Sequence, residues 1–373
     1  MTSVAFLVDQ LYTPAPGGMG TYVRELLPAL SRADPSLELR PFHSRVSTEP
    51  PRSPLPGFGI ESLDQDIRRL YPSWALIGRP ALPAAFDSVR IVHSPVPAAV
   101  PPVRPGQRLV VTVHDVAFLA RPELFPPVWR VMYRAGLRAA VRRADALIAV
   151  SRHSGEELVR RTRVPAERVH VVPLAASPPE QNPDPEAALA KLKVRTPYIL
   201  FVGTLEPRKN LIRLVRAFRR LALRGLPHRL VLAGPIGWQS QGLLREAAVD
   251  APGEVVMVGP VAPSDLDALY RSADAFVYPS LYEGFGLPVL EAMARGVPSV
   301  VSASSSLPEV AGEAAVPVDP LSVGGLAEAI ERVVTDPGLA ARLREAGLRR
   351  ARMFSWDQTA RLTLDVYKAV LQS

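Results

Sequence analysis

The sequence predicts an α/β protein with two doubly wound parallel sheets, one in each half of the chain. Short β-branched runs alternate with amphipathic helical patterns throughout, which is typical of parallel strands covered by helices. The length of 373 residues fits two domains. A proline-rich stretch over residues 176–187 lies between the halves and has no apolar period, as expected of a linker.

Strands and helices alternate along the first half. The predicted strands are Val4–Val8, Leu37–Phe42, Ile91–Ser94, Leu109–Val113 and Leu147–Val150, and the predicted helices are Met19–Arg32, Pro127–Arg143 and Ser151–Arg163. Proline-rich stretches at 50–57 and 95–105 predict loops, because proline interrupts regular structure. The first domain is therefore expected to span residues 1–178.

The alternation restarts in the second half. The predicted strands are Tyr198–Val202, Arg229–Ala233, Glu254–Val258, Ala275–Tyr278, Ser299–Ser302 and Ala315–Val318. The predicted helices are Asn210–Arg224, Ser264–Arg271, Pro288–Arg295, Gly325–Asp336, Leu339–Met353 and Trp356–Leu371. We expect a second domain over 194–355. The last helix, 356–373, follows a complete domain, so we expect it to pack back on the first.

Composition argues against several classes of protein. Cysteine is absent, which excludes disulfides, thiolate metal sites and a cysteine nucleophile. No basic segment precedes the first apolar run, and no uncharged apolar stretch reaches about 20 residues, so we expect a cytoplasmic protein without a signal peptide or membrane span. The net charge of +8 would suit nucleic-acid binding. That alternative is weaker, because the basic excess lacks interleaved aromatic residues and a known module.

The strongest motif is a glycine-bearing loop that leads into a helix. It reads YEGFGLP over residues 282–288, and Pro288 fits the first helical turn, where its missing N–H costs nothing. The unpaired N–H groups and the positive end of a helix attract anions. The motif therefore predicts an anion site at the amides of Phe285, Gly286 and Leu287.

Two glutamates flank this predicted anion site. Glu291 is expected in the first turn of the helix, and Glu283 precedes the turn. A carboxylate beside a phosphate makes sense if it accepts hydrogen bonds from the two hydroxyls of a ribose, and Glu283 could bind a second polyol in the same way. The alternative is that both are ordinary helix-start acids favoured by the dipole.

A second strand–turn–helix pattern carries a basic pair. Residues 201–210 read FVGTLEPRKN, and Arg208 and Lys209 lie at the mouth of the turn that begins at Gly203. Lys209 is one of four lysines among 44 basic residues, in a chain whose composition favours arginine. We expect the pair to contact a phosphate. The alternative is a solvated basic turn.

The first half holds two further candidates. Gly17 and Gly18 precede a helix and allow close approach of the backbone to a ligand, but the loop fails the dinucleotide-binding spacing, so we infer no nicotinamide cofactor. His114, beside Asp115, directly follows a strand, where its ring could bind a sugar hydroxyl. A structural turn and a capped structural histidine are the alternatives.

No metal site is expected. The D-x-D string at 265–267 follows Ser264 and precedes a helical pattern, which predicts a capped helix start with acids in its first turn. The string at 64–66 lies among arginines on a predicted surface. A magnesium site tied to phosphates is the weaker alternative at either string.

The predicted helix Pro127–Arg143 is basic and amphipathic. Arginines recur at every fourth position along it, at Arg130, Arg134, Arg138 and Arg142. Such a helix could rest on an anionic membrane surface or bind an acidic acceptor. The alternative is a solvated basic face over an apolar core face.

Together the motifs resemble the retaining glycosyltransferases of family four, whose GT-B architecture has two Rossmann-like domains facing across a cleft. The spacing of Glu283 and Glu291 within its Gly/Pro frame is highly specific for that family. The likeness covers nearly the whole chain and is carried by GGMGTYVREL at 17–26, SRHSGEEL at 151–158, VGTLEPRKN at 202–210 and the segment 278–312.

The resemblance implies a role for each candidate residue. Glu291 would hold the nucleotide ribose, Glu283 the hydroxyls of the donor sugar, and His114 would lie beside the transferred sugar. The nucleobase would bind near Gly259–Val261, with Val261 as the side chain in contact with it. The remaining donor contacts, chiefly to the diphosphate, would come from Gly18, Gly203, Arg208, Lys209 and the amides of Phe285, Gly286 and Leu287. Many relatives have arginine where this chain has Thr204, and Arg208 is the candidate to replace it.

The implied reaction moves a hexose of the mannose or glucose type from a GDP- or UDP-linked sugar to a saccharide or lipid-linked hydroxyl acceptor, in polysaccharide or glycolipid assembly. The first domain would bind the acceptor and the second the nucleotide sugar, in the cytoplasm or at the inner membrane surface. We expect retention of configuration by front-face attack, with no metal and no cofactor. A GT-B-shaped nucleotide-sugar epimerase is the enzymatic alternative.

Overall fold

The computed structural model describes residues 2–13, 16–47, 53–179, 184–249 and 255–372. It divides into two units, the first formed by Met1–Leu174 with Ser355–Ser373 and the second by Ala175–Phe354. The last helix thus belongs to the first unit. The second unit begins before residue 194, where the sequence placed its start.

The first unit is built on a parallel sheet. Its strands are β1 (Ser3–Leu7), β2 (Glu38–Arg45), β3 (Glu61–Asp66), β4 (Ile91–Ser94), β5 (Arg108–Val113), β6 (Ala146–Ala149) and β7 (Val169–Val171). They lie in the order β3-β2-β1-β4-β5-β6-β7, and the predicted strands of this half are confirmed. The sequence missed β3 and β7. Both are edge strands, so neither carries the continuous apolar run of a strand buried on both faces.

The helices of the first unit before the second sheet are α1 (Gly17–Ala33), α2 (Ile67–Leu76), α3 (Ala117–Ala120), α4 (Pro127–Arg143) and α5 (Arg152–Thr162). Sequence reasoning missed α2, which contains an internal proline, Pro72. The Asp66 carboxylate caps this helix by accepting hydrogen bonds from the N–H groups of Arg68 and Arg69 at 2.9 and 3.2 Å. One acid of the string at 64–66 therefore has a structural role.

The second unit repeats this architecture. Its strands are β8 (Tyr198–Val202), β9 (Arg229–Ala233), β10 (Val255–Gly259), β11 (Ala275–Tyr278), β12 (Ser299–Ser302) and β13 (Val316–Val318). They form a parallel sheet in the order β10-β9-β8-β11-β12-β13. This is a doubly wound arrangement, because successive strands are added on one side of β8 and then, from β11 onward, on its other side. The predicted strands are confirmed, except that Glu254 lies outside the described residues.

The helices of the second unit are α6 (Pro185–Lys191), α7 (Leu211–Ala222), α8 (Gln241–Ala247), α9 (Pro263–Arg271), α10 (Leu287–Ala294), α11 (Leu307–Ala311), α12 (Val323–Thr335) and α13 (Pro337–Ala351). The prediction of a linker to residue 187 is wrong at its end, because the Asp184 carboxylate caps α6 and Pro185 occupies its first turn. Residues 180–183 lie outside the described part. Ser264 does not cap α9, which begins at Pro263.

The final helix, α14 (Trp356–Gln372), packs on α1 within the first unit. The Thr359 hydroxyl donates to the Pro173 carbonyl at 2.7 Å. The Tyr367 hydroxyl lies 2.6 Å from Nδ1 of buried His93 on β4. Buried polar groups need partners, so this bond fixes the helix against the sheet. Throughout the described ranges, every helix is too short or too polar to span a membrane.

Candidate active site

Three loops of the second unit meet at the carboxyl edge of its sheet. They follow β8, β11 and β12, which are neighbours in the sheet. The Leu281 N–H donates to the Arg208 carbonyl at 2.9 Å, and the Glu283 N–H donates to the Ser305 hydroxyl at 2.9 Å. The two strongest sequence motifs therefore meet where ligands of doubly wound sheets bind.

Local backbone geometry presents Lys209 at this edge. Gly203 follows β8 with φ of +147°, and a Cβ atom there would lie 3.7 Å from Cε of Lys209. Glycine accepts this backbone angle without strain. Asn210 ends the turn in the left-handed conformation, and its side-chain amide donates to the Pro279 carbonyl at 3.0 Å. The turn with the basic pair is thus anchored to the neighbouring loop.

Lys209 forms a buried ion pair with Glu283. The Lys209 Nζ donates to Glu283 Oε1 and to the Tyr278 hydroxyl, both at 2.6 Å. It also lies 4.9 Å from the centre of the Tyr278 ring. Lys209 and Glu283 are each 6% exposed. Charges buried to this extent are tolerated because they are paired and hydrogen-bonded.

Arg208 lies between two carboxylates. Its Nη1 donates to Glu283 Oε2 at 2.8 Å and to the Tyr282 carbonyl at 3.0 Å. On its other side, Nε donates to Glu206 Oε1 at 2.9 Å, and Nη2 lies 2.8 Å from the same oxygen as an ion pair. Glu206, Arg208, Lys209 and Glu283 thus form one cluster of two cations and two anions, here called the ion quartet.

The ion quartet shifts the titration of its members. Burial would raise the pKa of Glu283, but the charges of Arg208 and Lys209 outweigh burial and hold that pKa at about 2. Burial and the Arg208 charge lower the pKa of Lys209, against the opposing effect of Glu283. Burial raises the pKa of Glu206, which the two cations oppose. Glu283 is therefore ionised at neutral pH and accepts hydrogen bonds only.

The glycine loop delivers the start of α10 beside the ion quartet. Gly286 precedes the helix with φ of +109°, and a Cβ atom there would lie 2.6 Å from Cδ2 of Leu307. The Ser306 hydroxyl fixes the loop, because its single O–H is shared between the carbonyls of Glu283 and Phe285, at 3.0 and 2.9 Å from its oxygen. The first amides of a helix have no acceptor within it. This end of α10 can therefore donate hydrogen bonds to an anion.

Glu291 lies in the second turn of α10, not in the first as predicted, because the helix begins at Leu287. The Tyr270 hydroxyl donates to Glu291 Oε2 at 2.9 Å. Arg295 donates to the Glu291 backbone carbonyl at 3.2 Å and to Asp267 at 2.6 Å. Asp267 is thus a buried ion-pair partner beyond the first turn of α9, whereas Asp265 lies in that first turn as predicted. Burial and the Glu291 charge raise the pKa of Tyr270, which therefore stays a neutral donor.

His114 belongs to the first unit and directly follows β5. The Tyr22 ring packs edge-on against the imidazole with centroids 5.0 Å apart. Burial lowers the pKa of His114 to about 4, opposed by the charge of Asp115, so the ring is neutral at pH 7. Its Nε2 is buried and has no hydrogen-bond partner within the residues that the structure describes. A neutral ring of this kind can bind a hydroxyl.

Two other predicted donor-binding residues lie apart from the ion quartet in sequence. Gly18 is exposed in the first turn of α1 in the first unit, one helical turn before Tyr22 and so on the same face. Val261 follows β10 in the second unit and is half-buried. It therefore lies at the same sheet edge as the glycine loop.

Sequence reasoning missed the side chains that hold the functional groups. Glu206 stands within the TLEPRKN string, two residues before Arg208, and its position was the available signal. Tyr278 is the last residue of a predicted strand and Tyr270 is the next-to-last residue of a predicted helix, and no local pattern at either position marks a contact with the site. Ser305 and Ser306 contact the loop from 22 or 23 residues away in sequence, for which no local pattern exists.

The described residues contain no group of three or more histidine, aspartate and glutamate side chains that could hold a metal ion. The positive charge at the site comes from Lys209, Arg208 and the helix start.

The two doubly wound units define a protein of the GT-B fold. A sucrose-phosphate synthase from Thermosynechococcus elongatus superposes with a TM-score of 0.76 over 99% of each chain at 23% identity. The Anabaena protein HepE, solved in complex with UDP-glucose, superposes with a TM-score of 0.72 over 100% of each chain at 17% identity. These likenesses confirm the predicted fold.

Sequence comparison identifies the family. The model for Glycosyltransferase Family 4 matches residues 16–178, and the model for Glycosyl transferases group 1 matches residues 186–350. O-antigen chain mannosyltransferase B of Escherichia coli is 35% identical over 269 residues, which cover 70% of each chain. The chain therefore belongs to the group 1, family 4 glycosyltransferases, as the sequence motifs indicated.

Proposed function

We propose that this glycosyltransferase moves a hexose, of the mannose or glucose type, from a nucleoside-diphosphate sugar to a hydroxyl of a saccharide or lipid-linked acceptor. The observation that carries the proposal is the buried Lys209–Glu283 pair, whose atoms lie 2.6 Å apart beside the start of α10. Support for the donor comes from HepE, solved with UDP-glucose. Support for mannose and for polysaccharide assembly comes from the Escherichia coli relative, an O-antigen chain mannosyltransferase.

The proposed donor site divides into subsites with different chemistry. Lys209 and the amides of Phe285–Leu287 bind the diphosphate, and Glu283 accepts hydrogen bonds from the hexose hydroxyls. Glu291, oriented by the Tyr270 hydroxyl, binds the ribose, with the base near Val261 and the backbone of Gly203 close to the phosphates. From the first unit, we assign His114 to the transferred sugar and Gly18 to the diphosphate.

The proposed chemistry follows from the charges of the ion quartet. As the bond from the anomeric carbon to the diphosphate oxygen breaks, negative charge builds on the diphosphate, and Lys209 with the helix-start amides stabilises it. Glu283 is a poor nucleophile, because both of its oxygens bind cations and its pKa is held at about 2. We therefore propose front-face attack, in which the acceptor oxygen bonds to the anomeric carbon, its proton passes to the leaving diphosphate, and configuration is retained.

The proposal is tested by transfer assays on the purified chain with UDP-glucose and GDP-mannose. Lys209→Ala should lose on the order of 10²–10³ in kcat, as for removal of one preorganised oxyanion donor. Lys368→Ala, whose side chain is 68% exposed on α14, is the matched control and should retain parental activity. Parental transfer by Lys209→Ala would refute the diphosphate assignment. Release of an altered sugar nucleotide without an elongated acceptor would instead identify an epimerase.

Retention and metal independence are tested on the same reaction. We expect the anomeric configuration of the donor in the product, read from the one-bond carbon–proton NMR coupling at the anomeric carbon. We also expect transfer to continue in EDTA, because Lys209 and the helix start supply the positive charge. An inverted product, or a complete loss that magnesium reverses, would overturn the corresponding part of the proposal.

We also propose that α4 rests on an anionic membrane surface. Val128, Val131 and Met132 are 67%, 68% and 49% exposed on this helix. The helix carries arginines and no acidic residue, and Arg134, Arg138 and Arg142 are exposed whereas Arg130 is half-buried. Apolar residues next to exposed arginines suit the boundary between headgroups and acyl chains.

The membrane contact is tested by sedimentation with vesicles. The parent chain should bind vesicles of phosphatidylglycerol and phosphatidylcholine but not of phosphatidylcholine alone, and binding should weaken with salt. Val131→Asp should lose binding, whereas Val249→Asp, at a site 73% exposed in the second unit, should not. Equal loss from both variants, or no binding by the parent, would contradict the proposal.

A further inference from the structure

Arg208 and Lys209 differ in how their donors are used. A guanidinium has five N–H groups and an ammonium has three. Arg208 directs its donors into the protein: Nε donates to Glu206, Nη1 donates to Glu283 and to the Tyr282 carbonyl, and Nη2 forms an ion pair with Glu206. Among the described contacts, Lys209 uses two of its three. The two basic residues are adjacent in sequence but are not equivalent in the site.

Glu206 holds the guanidinium in place. Its side chain is 3% exposed, it accepts a hydrogen bond from Nε of Arg208, and its Oε1 lies 2.8 Å from Nη2. Two contacts from one planar group to a buried carboxylate fix the orientation of that plane. The Arg208 guanidinium lies between the Glu206 and Glu283 carboxylates, which largely neutralise its charge at short range. It therefore attracts a further anion less strongly than an unpaired cation would. Arg208 is therefore built into the loop as a bridge between two carboxylates.

The Glu283 carboxylate is held from both sides. Lys209 binds Oε1 at 2.6 Å and Arg208 binds Oε2 at 2.8 Å. The Ser305 hydroxyl fixes the backbone of the same residue by accepting its N–H. A carboxylate has about four acceptor positions, so positions remain for hydroxyl donors, and the two cations determine the direction in which they point.

We infer that Arg208 is a positioning residue, locked by Glu206, that orients the Glu283 carboxylate toward the hexose and makes no direct contact with the diphosphate. Glu206 is its necessary partner. The inference rests on the proposed function, because the hexose contact of Glu283 belongs to that proposal. It divides the basic pair into an anion-binding lysine and an orienting arginine.

The experiment separates binding of the diphosphate from transfer of the sugar. Affinity for UDP and GDP is measured by calorimetry, and kcat and KM are measured with UDP-glucose and GDP-mannose. Arg208→Met should change nucleoside-diphosphate affinity by less than about threefold while kcat falls about 10- to 100-fold, as for residues that orient a functional group. Lys209→Met should lose both. Arg216→Met, at an exposed arginine of α7 that pairs with Glu246, is the matched control.

The dependence of kcat/KM on pH distinguishes loss of the Arg208 charge from loss of packing, because packing alone would not shift the profile. The charged and titratable groups facing Glu283 are Arg208, Lys209, Tyr278 and Glu206. Removing Arg208 takes away the largest of the influences that oppose burial, so the pKa of Glu283 rises. The acid limb of kcat/KM should therefore move to higher pH in Arg208→Met and stay in place in Arg216→Met.

Glu206→Ala keeps the arginine charge and removes its anchor. We expect this variant to lose kcat with nucleoside-diphosphate affinity retained. Parental kcat in Glu206→Ala, or a loss of UDP and GDP affinity in Arg208→Met that matches Lys209→Met, would overturn the inference. If Arg208→Met fails to fold, Arg208→Lys keeps the charge without the planar fork and should show the same separation. Unchanged UDP and GDP affinity in Lys209→Met would refute the diphosphate assignment of the proposed function instead.

Discussion

Neutralising Glu283 should destabilise the second unit in a pH-dependent way. The substitution Glu283→Gln keeps the size of the side chain but leaves Lys209 and Arg208 buried with one carboxylate fewer. The pKa of Glu283 falls from 4.5 to about 2 on folding. At about 1.36 kcal/mol per pH unit, that change corresponds to roughly 3 kcal/mol of stability. Removing one partner of a buried ion pair typically costs about 3–5 kcal/mol of stability, which agrees with the value from the pKa shift.

The sign of the pH dependence follows from the direction of the shift. Because folding lowers the pKa, the stabilisation is complete above pH 4.5 and is lost as the pH falls toward 2. The free energies of unfolding of parent and variant should therefore differ most at neutral pH. Roughly half of the difference should be gone at pH 3.

Urea and thermal unfolding, followed by circular dichroism at pH 7 and pH 3, measure this difference. In a unit of this size, about 3 kcal/mol corresponds to a fall of about 6–12 °C in melting temperature. Glu345→Gln removes a carboxylate that pairs with Arg349 but is 73% exposed, so it should change stability by less than about 1 kcal/mol. Equal stability of Glu283→Gln and the parent at pH 7, or a difference that does not shrink in acid, would refute the electrostatic reasoning.

Three further predictions concern single contacts. Gly286→Ala should lose about 1–3 kcal/mol of stability and most activity, because φ at this position is +109° and a Cβ atom would lie 2.6 Å from Leu307. Urea unfolding and a transfer assay measure the two effects, and parental values in both would contradict the prediction. Tyr270→Phe removes the 2.9 Å hydrogen bond to Glu291 and should weaken UDP or GDP binding about tenfold. Binding of the 2′,3′-dideoxy analogue, which lacks the ribose hydroxyls, should change little. Equal loss of affinity for both ligands would disprove the ribose assignment. The His114 ring has its pKa at about 4, so it should stay neutral from pH 8 to about pH 5. ¹⁵N NMR of the imidazole nitrogens measures this titration, and a titration midpoint near 6.5 would show that the ring is not buried as described.

The buried strands were predictable because both of their faces are covered. β8 and β11 are apolar runs bounded by turn signals, and the structure has them at the predicted bounds. The edge strand β3, ESLDQD, exposes polar side chains and has no such run. α2 and α6 were missed for another reason. α2 contains an internal proline, Pro72, which is rarely found inside a helix, and α6 begins at Pro185 within the stretch that was predicted to be a linker.

Half of the candidate site was predictable because helix starts and glycine turns have local signatures. The strings around Gly203 and Gly286 each mark a strand, a turn and a helix, so the positions of Lys209 and Glu283 followed from them. Their contact did not, because it joins residues 74 apart in sequence. The turn of α10 that holds Glu291 depended on whether the helix begins at Leu287 or Pro288, which periodicity does not resolve.

The amino-acid sequence by itself determined the fold class, the family and the loops that carry the chemistry, because apolar period, glycine placement and motif spacing are properties of neighbouring residues. Only the tertiary structure decided that Arg208 is shared by Glu206 and Glu283, that Tyr270 orients Glu291, and that α14 returns to the first unit. These are contacts between distant segments of the chain. Their strength depends on burial, which lowers the local dielectric, and burial exists only once the chain has folded.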